Sequence, residues 1–270
     1  MPTLVAFHAH PDDECLTTGG TLARAVDEGH RVVLVYATRG EVGEVPDGLL
    51  APGERLVDRR VAEVTRAAEA LGAHRVEFLG YRDSGMAGTP DNDHPDAFCR
   101  ADVGAAAEQL AVLLREEAAD VLLVYDENGN YGHPDHVQVH RVGVAAAALA
   151  GTPQVLEATV SREAVRDFMA RAVAAGLMPA EEVPDLDDPG EALGVPDVLI
   201  TTRVDVRPWA ARKRAAMAAH ESQIGDLGPF LELPPEVFRE AMGTEWFIRR
   251  GAPPGHRDDD VFAGLDRRAG

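Results

Sequence analysis

Residues 3–14 read Thr-Leu-Val-Ala-Phe-His-Ala-His-Pro-Asp-Asp-Glu, an apolar run that ends in two histidines, a proline and three carboxylates. The apolar part, residues 3–9, is typical of a β-strand buried on both faces, because almost every side chain in it is apolar. Similar Val- and Leu-rich runs occur at 31–37, 75–79 and 120–125. The sequence therefore predicts four buried strands.

Segments with helical spacing separate these strands. They cover 17–28, 53–71 and 102–118, and another at 135–150 follows the fourth strand. Alternation of strands and helices predicts an α/β fold in which helices cover both faces of a parallel sheet. In such a sheet the functional loops follow the carboxyl ends of the strands.

The pattern is less regular after residue 150. We expect a helix, an acid-rich loop, a strand, a second helix and a last short strand, at 162–176, 177–195, 196–206, 208–222 and 245–249. The residues from 251 to 270 combine Pro, Gly and mixed charge, and this composition predicts a poorly ordered tail. No internal repeat or clear linker is visible, so a single domain over 1–250 is expected.

The composition argues against several classes of partner. The chain has 46 acidic and 26 basic side chains and a formal charge of −20, and its longest basic run is 212–214. We therefore expect neither nucleic acid nor a membrane surface as a partner. The longest apolar run, 142–151, is well short of the ~20 residues that a membrane span requires. Cys15 and Cys99 cannot form a disulfide scaffold and no signal peptide is visible, so a cytoplasmic protein is expected.

The end of the first predicted strand suits a metal ion. A two-residue period places His8 and His10 on one face, and Asp12, Asp13 and Glu14 follow directly. Like charges ~4 Å apart repel by on the order of 1–4 kcal/mol, so three adjacent carboxylates need a cation among them. The Gly-rich turn of a dinucleotide site is absent at this point. A divalent metal is the simplest explanation.

The fourth predicted strand is followed by His133-Pro134-Asp135-His136. If the first and fourth strands are neighbours, His136 approaches His10 and Asp13 and completes a site with two imidazoles and one carboxylate. Zinc accepts such ligands, and a catalytic zinc keeps one position open for water. Iron also fits this set, whereas magnesium prefers oxygen ligands, which argues against a magnesium-dependent phosphatase.

Two side chains beside the predicted ligands suit acid–base chemistry. Asp12 is placed to accept a proton from the water, and His133 is placed to act as an acid or to stabilise an oxyanion. A third copy of the triplet, His94-Pro95-Asp96, follows no predicted strand. The triplet alone is therefore a weak signal, and its position at two strand ends carries the prediction.

The motifs at 10–14 and 133–136 together resemble those of the LmbE-like family, also called the GlcNAc-PI deacetylase (PIG-L) family, of zinc-dependent N-acetylglucosamine deacetylases. Segments 82–89 and 128–132 resemble its mycothiol-precursor (GlcNAc-inositol) branch in particular. Other residues match a weaker pattern near the family's carboxyl end: Lys213, His220, Ser222 and Gln223. The resemblance covers about residues 3–250 and implies a Rossmann-like parallel sheet with a smaller, irregular C-terminal part.

The resemblance also implies roles for individual residues. It implies that one Zn²⁺ per subunit, or Fe²⁺ as the alternative, is bound by His10, Asp13 and His136. It implies four catalytic residues, Asp12, His133, Asp135 and Tyr131. The sugar hydroxyls would be bound by Arg60 and Asp83. Asp12 would be the general base, and His133 would stabilise the tetrahedral intermediate and protonate the amine. Asp135 would orient the His133 imidazole, and Tyr131 would contribute to the oxyanion site.

The implied function is hydrolysis of the N-acetyl group of an N-acetylglucosamine-containing substrate, with GlcNAc-inositol of mycothiol biosynthesis as the candidate. One alternative is an amidase acting on another amide, such as a mycothiol S-conjugate or an antibiotic-pathway glycoside. The conjugate amidases resemble one another in carrying a lysine a few residues after the first motif. This sequence has no lysine in the residues just after Cys15. A non-catalytic sugar- or metal-binding protein is an alternative of another class. The expected partner is a small amino sugar. The sequence leaves open whether the chain forms a homo-oligomer.

Overall fold

The computed structural model describes residues 1–174, 176, 179–186, 193–253 and 255–265, and within them seven strands form one mixed sheet. The strands are β1 (Thr3–His8), β2 (Arg31–Tyr36), β3 (Arg75–Phe78), β4 (Val121–Tyr125), β5 (Gln154–Thr159), β6 (Thr202–Asp205) and β7 (Thr244–Arg249). Their order across the sheet is β3-β2-β1-β4-β5-β7-β6. The first five are parallel, and β7 is antiparallel to both of its neighbours.

Helices connect and cover the strands. They are α1 (Asp13–Thr17), α2 (Gly19–Asp27), α3 (Leu56–Leu71), α4 (Val103–Glu116), the single turn α5 (Gly129–Gly132), α6 (Pro134–Ala150), α7 (Arg162–Ala174), α8 (Ala210–Ala219), α9 (Ile224–Leu231) and α10 (Pro235–Ala241). None of the helices in the described residues has the length and apolar character needed to cross a bilayer.

The predicted α/β fold and its first four strands are confirmed, and the differences lie mainly after residue 150. The strand β5 was not predicted, because Gln154 and Glu157 interrupt its apolar run. The predicted strand at 196–206 is confined to β6, since residues 197–199 form a 3₁₀ turn. The helices α9 and α10 were not predicted either. Part of the predicted acidic loop, 187–192, lies outside the described residues.

The sheet separates two hydrophobic cores. Alternate residues of β1 point to opposite faces, so Leu4 and Ala6 pack with α2, α3 and α8, whereas Val5 and Phe7 pack with α4 and α6. All of these β1 side chains are fully buried. This three-layer arrangement explains why the strands read as nearly continuous apolar runs.

The strand order reverses between β1 and β4, which lie side by side with Ala6 opposite Leu123. In open α/β sheets, such a reversal opens a crevice beyond the carboxyl ends of the two strands, and ligands bind there. The residues after β1 and those after β4 both enter this crevice. The sheet topology therefore brings the two polar motifs together.

The last described residues pack against the sheet although the sequence predicts a poorly ordered tail from 251. Val261 is buried, and Phe262 stacks on His30 with ring centroids 3.9 Å apart. Asp258 pairs with Thr202 at the edge of β6. The short apolar sequence Val261-Phe262 thus anchors this segment, while residues 266–270 lie outside the described part of the chain.

A buried ion pair joins the C-terminal strands to the beginning of the chain. Lys213 Nζ lies 2.8 Å from Glu245 Oε1, and both side chains are 1% exposed. The Glu245 carboxylate also accepts hydrogen bonds from the backbone N–H groups of Gly20 and Thr21, at the start of α2. One carboxylate therefore satisfies a lysine of α8 and the amino end of α2.

We expect Glu245→Ala to lower the free energy of unfolding by about 3–5 kcal/mol, because it leaves the Lys213 charge buried without a partner. Urea unfolding measures this loss. Glu240→Ala removes an exposed carboxylate and is the control, with an expected change within about 0.5 kcal/mol. The double variant Lys213→Met/Glu245→Gln should recover part of the loss, and equal stability of Glu245→Ala and the control would contradict the interpretation.

Candidate active site

The turn between β1 and α1 sets the positions of its polar side chains. His10 donates its backbone N–H to Asp13 Oδ2 at 2.7 Å, so the carboxylate is held close to its own turn. Asp12 has φ 105° and ψ −30°, in a left-handed conformation that non-glycine residues seldom adopt. The Asp12 carboxylate lies against Arg60, whereas the Asp13 carboxylate lies against His10 and His136.

The predicted metal ligands lie together in the crevice. His10 Nδ1 is 3.5 Å from Asp13 Oδ2, and His136 Nε2 is 3.4 Å from Asp13 Oδ1. Burial alone would raise the pKa of Asp13, but the two imidazoles hold it well below its usual range. His133 also faces this group, because His10, His133 and His136 each place one potential ligand atom within 4.8 Å of the others.

These side chains fit a metal ion. Neither ring nitrogen of the buried His136 has a hydrogen-bond partner within the described part of the chain, and Nε2 faces Asp13 Oδ1 at 3.4 Å. The opposite nitrogen of His10, Nε2, lies 3.2 Å from Asp135 Oδ2, which leaves Nδ1 facing Asp13. Metal-binding histidines commonly use their second nitrogen for a carboxylate in this way. Two nitrogens and one oxygen favour zinc or iron over magnesium.

The backbone defines the protonation of His133. This residue caps α6, and its Nδ1 accepts a hydrogen bond from the Asp135 N–H at 3.1 Å. A neutral imidazole that accepts at Nδ1 carries its proton on Nε2. Burial and the neighbouring rings of His10 and His136 lower the pKa of His133 to about 4. The neutral ring thus has one N–H left to donate.

Asp135 contacts a different histidine from the one that the resemblance implies. Its carboxylate lies against His10 Nε2 and accepts hydrogen bonds from the backbone N–H and the hydroxyl of Ser84. Only its backbone N–H meets His133. The expected orientation of the His133 imidazole therefore comes from the cap of α6, and the Asp135 side chain instead supports His10.

Tyr131 lies at the solvent edge of the crevice. Its side chain is 48% exposed, and its ring stands at 71° to that of His136 with centroids 5.0 Å apart. The loop that carries it is anchored by the buried Asp126, whose Oδ1 accepts the N–H groups of Asn128 and Asn130. Asn130 has φ 64°, so this anchor maintains a strained turn directly before Tyr131.

Arg60 lies beneath Asp12 instead of facing the crevice as a sugar-binding residue. It is 3% exposed, it donates to the carbonyl oxygens of Pro11 and Gly40, and its Nη2 lies 3.4 Å from Asp12 Oδ2. Gly40 has φ 68° and lies so close that a Cβ there would overlap the guanidinium. Burial raises the pKa of Asp12 to about 7 against the opposing charge of Arg60.

Asp83 lies at the site, but its oxygens are largely engaged by the protein. Oδ1 accepts the Gly85 N–H at 2.8 Å and lies 3.4 Å from His10 Nε2, while Oδ2 accepts the Val42 N–H at 3.2 Å. Burial would raise the pKa of Asp83, but the charge of His10 lowers it. The structure thus places Asp83 beside His10 and shows it supporting that ring.

Sequence reasoning assigned no specific contact to several residues that support the site. His220 Nε2 lies 2.7 Å from Glu14 Oε1, and both side chains are fully buried. Burial would raise the pKa of Glu14, but the charge and hydrogen bond of His220 outweigh it and lower it to about 2. Asp126 carried no signal, whereas Ser84 lies in the segment 82–89 that resembles the mycothiol-precursor branch and His220 belonged to the weaker C-terminal pattern. In the third triplet, His94 Nδ1 merely accepts the Asp96 N–H in an exposed turn.

We expect single alanine variants to separate metal ligands from acid–base residues. His10→Ala and His136→Ala should lose at least about 90% of bound zinc after dialysis, because each removes one of the three predicted ligands. His133→Ala should keep about one zinc per chain and is the matched control, since it removes a neighbouring imidazole. Metal analysis of the purified variants measures this, and loss of zinc from His133→Ala would favour a three-histidine site.

A family model and the similar protein sequences agree on the family. Residues 5–147 match the sequence model of the PIG-L family, described as GlcNAc-PI de-N-acetylase. A 1D-myo-inositol 2-acetamido-2-deoxy-alpha-D-glucopyranoside deacetylase of Acidothermus cellulolyticus is 43% identical, over 98% of this chain and 95% of the relative. The match extends over nearly the whole of both chains.

Solved structures of other enzymes have a similar fold. An N,N'-diacetylchitobiose deacetylase from Pyrococcus horikoshii matches with a TM-score of 0.59 and 23% identity, over 92% of this chain and 83% of its own. A 4-carboxy-2-hydroxymuconate hydratase from Pseudomonas putida matches with a TM-score of 0.58 and 20% identity, over 95% and 99%. Because these enzymes differ in reaction, the fold alone does not define the chemistry. The match to the family model and the 43% identity do define the family, and the chain belongs to the PIG-L family.

Proposed function

We propose that this protein is a zinc-dependent N-deacetylase that removes the acetyl group from N-acetylglucosaminyl-inositol. The observation that carries the proposal is the convergence of His10, Asp13 and His136 beside Asp12 and His133 at the crevice between β1 and β4. The name of the relative that is 43% identical supports the substrate.

The metal would be held by His10 Nδ1, His136 Nε2 and the Asp13 carboxylate, whose atoms already face one another. When bound, zinc supplies Lewis-acid polarisation of the amide carbonyl and makes the attacking water more acidic. Asp135 supports this arrangement through His10 Nε2, because it fixes which nitrogen of that ring faces Asp13.

Asp12 is the residue best placed to accept a proton from the attacking water. It adjoins Asp13 in the chain, but its carboxylate lies against Arg60, whereas the Asp13 carboxylate lies against His10 and His136. Arg60 lies 3.4 Å from its carboxylate and limits the directions in which that carboxylate can point. A general base held in this way contributes about 10²–10⁴-fold to a rate.

His133 acts on the opposite side of the reacting amide. Its Nε2–H is free to donate a hydrogen bond to the oxygen that becomes negative as the carbonyl carbon turns tetrahedral. The departing amine needs one proton, and the proton that Asp12 took from the water supplies it, because a neutral His133 would become an imidazolate if it gave up its only N–H. The half-exposed Tyr131 stands at the rim, where a ring can cover the substrate's acetyl group. We also propose a cytoplasmic location, which suits the two free thiols Cys15 and Cys99.

We expect Asp12→Asn to lower kcat by about 10²–10⁴-fold while one zinc ion stays bound, because the amide cannot accept the proton. Asparagine is chosen because it tolerates a left-handed backbone better than alanine does. Acetate release and metal content are measured together. Asp93→Asn changes an exposed aspartate and is the control. An unchanged rate in Asp12→Asn would refute the assignment of the base.

We expect the zinc-loaded protein to release acetate from N-acetylglucosaminyl-inositol with a kcat/KM at least about 10²-fold above that for free N-acetylglucosamine. The reason is that contacts to the inositol supply binding energy that orients the amide. Mass spectrometry of the products identifies the bond that is cleaved. Cleavage of a mycothiol S-conjugate instead would assign the amidase activity, and binding without acetate release would indicate a non-catalytic protein.

A further inference from the structure

The proposed base, Asp12, has a strained backbone. Its φ of 105° lies in the left-handed region, which costs a non-glycine residue of order 1–3 kcal/mol. Such a conformation persists only when surrounding contacts impose it, because an unconstrained peptide would rotate to an unstrained one. The direction of the Asp12 carboxylate therefore depends on what holds the peptide before it.

That peptide, between Pro11 and Asp12, is held at both of its polar atoms. The Pro11 carbonyl oxygen accepts a hydrogen bond from Arg60 Nη2. The Asp12 N–H donates to Glu14 Oε2 at 2.9 Å. A peptide fixed at its C=O and its N–H cannot rotate without breaking one of these bonds, and both involve charged partners, which make the stronger hydrogen bonds.

Glu14 can hold the peptide only while its own charge is balanced. Its side chain is 0% exposed, and its other oxygen, Oε1, lies 2.7 Å from His220 Nε2 and accepts from Cys15 Sγ at 3.0 Å. His220 is also fully buried and directly follows α8, more than 200 residues further along the chain. It is the only cationic side chain with a hydrogen bond to Glu14 among the described residues.

We infer that His220 is a positioning residue for the reaction: through Glu14 it holds the Pro11–Asp12 peptide in its left-handed form and so aims the Asp12 carboxylate. The inference rests on the proposed function, in which Asp12 is the base. His220 has no hydrogen bond or ion pair with Asp12 or with the predicted metal ligands. The charges of His220 and Asp12 attract each other only through space. The hydrogen-bonded route between the two residues runs from His220 to the Glu14 carboxylate and from there to the Asp12 N–H.

Two substitutions that differ by one methylene group test this inference. In His220→Gln the amide N–H reaches the position of Nε2 and can still donate to Glu14, whereas in His220→Asn it falls short. We expect His220→Asn to lower kcat by about 10²-fold, as for a displaced catalytic group, with KM and zinc content near those of wild type. His220→Gln should retain at least about tenfold more activity than His220→Asn, because it keeps a hydrogen bond to a charged acceptor.

A matched control removes a similar contact from the same turn. Ser222 Oγ donates to the buried Glu63, so Ser222→Ala loosens the junction after α8 without affecting Glu14. We expect it to lower the urea midpoint of unfolding but to leave kcat per folded, zinc-loaded molecule within about twofold of wild type. A comparable loss of kcat in Ser222→Ala would show that the junction as a whole, not His220, sets the rate.

A double-mutant cycle separates positioning from a merely structural role. If His220 acts only through Asp12, adding His220→Asn to Asp12→Asn should change the residual rate by less than about twofold. A structural role would lower the rate equally in both backgrounds and overturn the inference. Crystal structures of wild type and His220→Asn supply a readout that does not depend on activity, and retention of the left-handed Asp12 in the variant would also overturn it.

The two proposals fail in different ways. A zinc-loaded wild type that releases no acetate from N-acetylglucosaminyl-inositol would refute the proposed function, and the positioning role would fall with it. An active wild type with an equally active His220→Asn variant would refute the positioning role alone. If His220→Asn does not fold, His220→Gln provides the test. A kcat of His220→Gln equal to that of wild type, together with an Asp12 backbone that has left the left-handed region in His220→Gln, would then refute the positioning role.

Discussion

Three consecutive carboxylates at the end of β1, Asp12, Asp13 and Glu14, lie in or beside the buried crevice, and each needs its own positive partner. Placing adjacent anions in a poorly hydrated environment is costly unless each is paired. The structure solves this with Arg60 against Asp12, His220 against Glu14, and the imidazoles of the candidate metal centre around Asp13. Much of the remaining structure serves to bring these partners to one place.

The partners come from separate parts of the chain, and this gives the C-terminal half a function. Arg60 belongs to α3, whereas His220 follows α8. The match to the family model ends at residue 147 and so includes the candidate ligands but not His220. The Lys213–Glu245 pair joins α8 to β7 and α2, which keeps the end of α8 in register with the turn after β1. The C-terminal half therefore contributes a partner of the site, His220, as well as part of the fold.

The sheet supplies the location of the chemistry but not its type. Reversal of the strand order between β1 and β4 creates the crevice. A hydratase with a similar fold shows that the fold occurs in enzymes with another reaction. The side chains that enter the crevice decide what it can do. Here the ring of Tyr125 stacks on His136 at 4.3 Å, and Asp135 contacts His10, so strand and helix residues jointly hold the two imidazoles.

The sequence by itself determined the α/β fold, the first four strands and the identity of the residues that meet at the crevice. It could do so because the information lies in short contiguous patterns, an apolar run followed by His10-Pro11-Asp12-Asp13-Glu14 and another followed by His133-Pro134-Asp135-His136. Only the tertiary structure decided which residues support them. That Arg60 lies under Asp12, that Asp135 serves His10 and that His220 pairs with Glu14 all depend on contacts between distant segments. No local pattern encodes these contacts, because they depend on the pairing of buried charges that only the folded chain brings together.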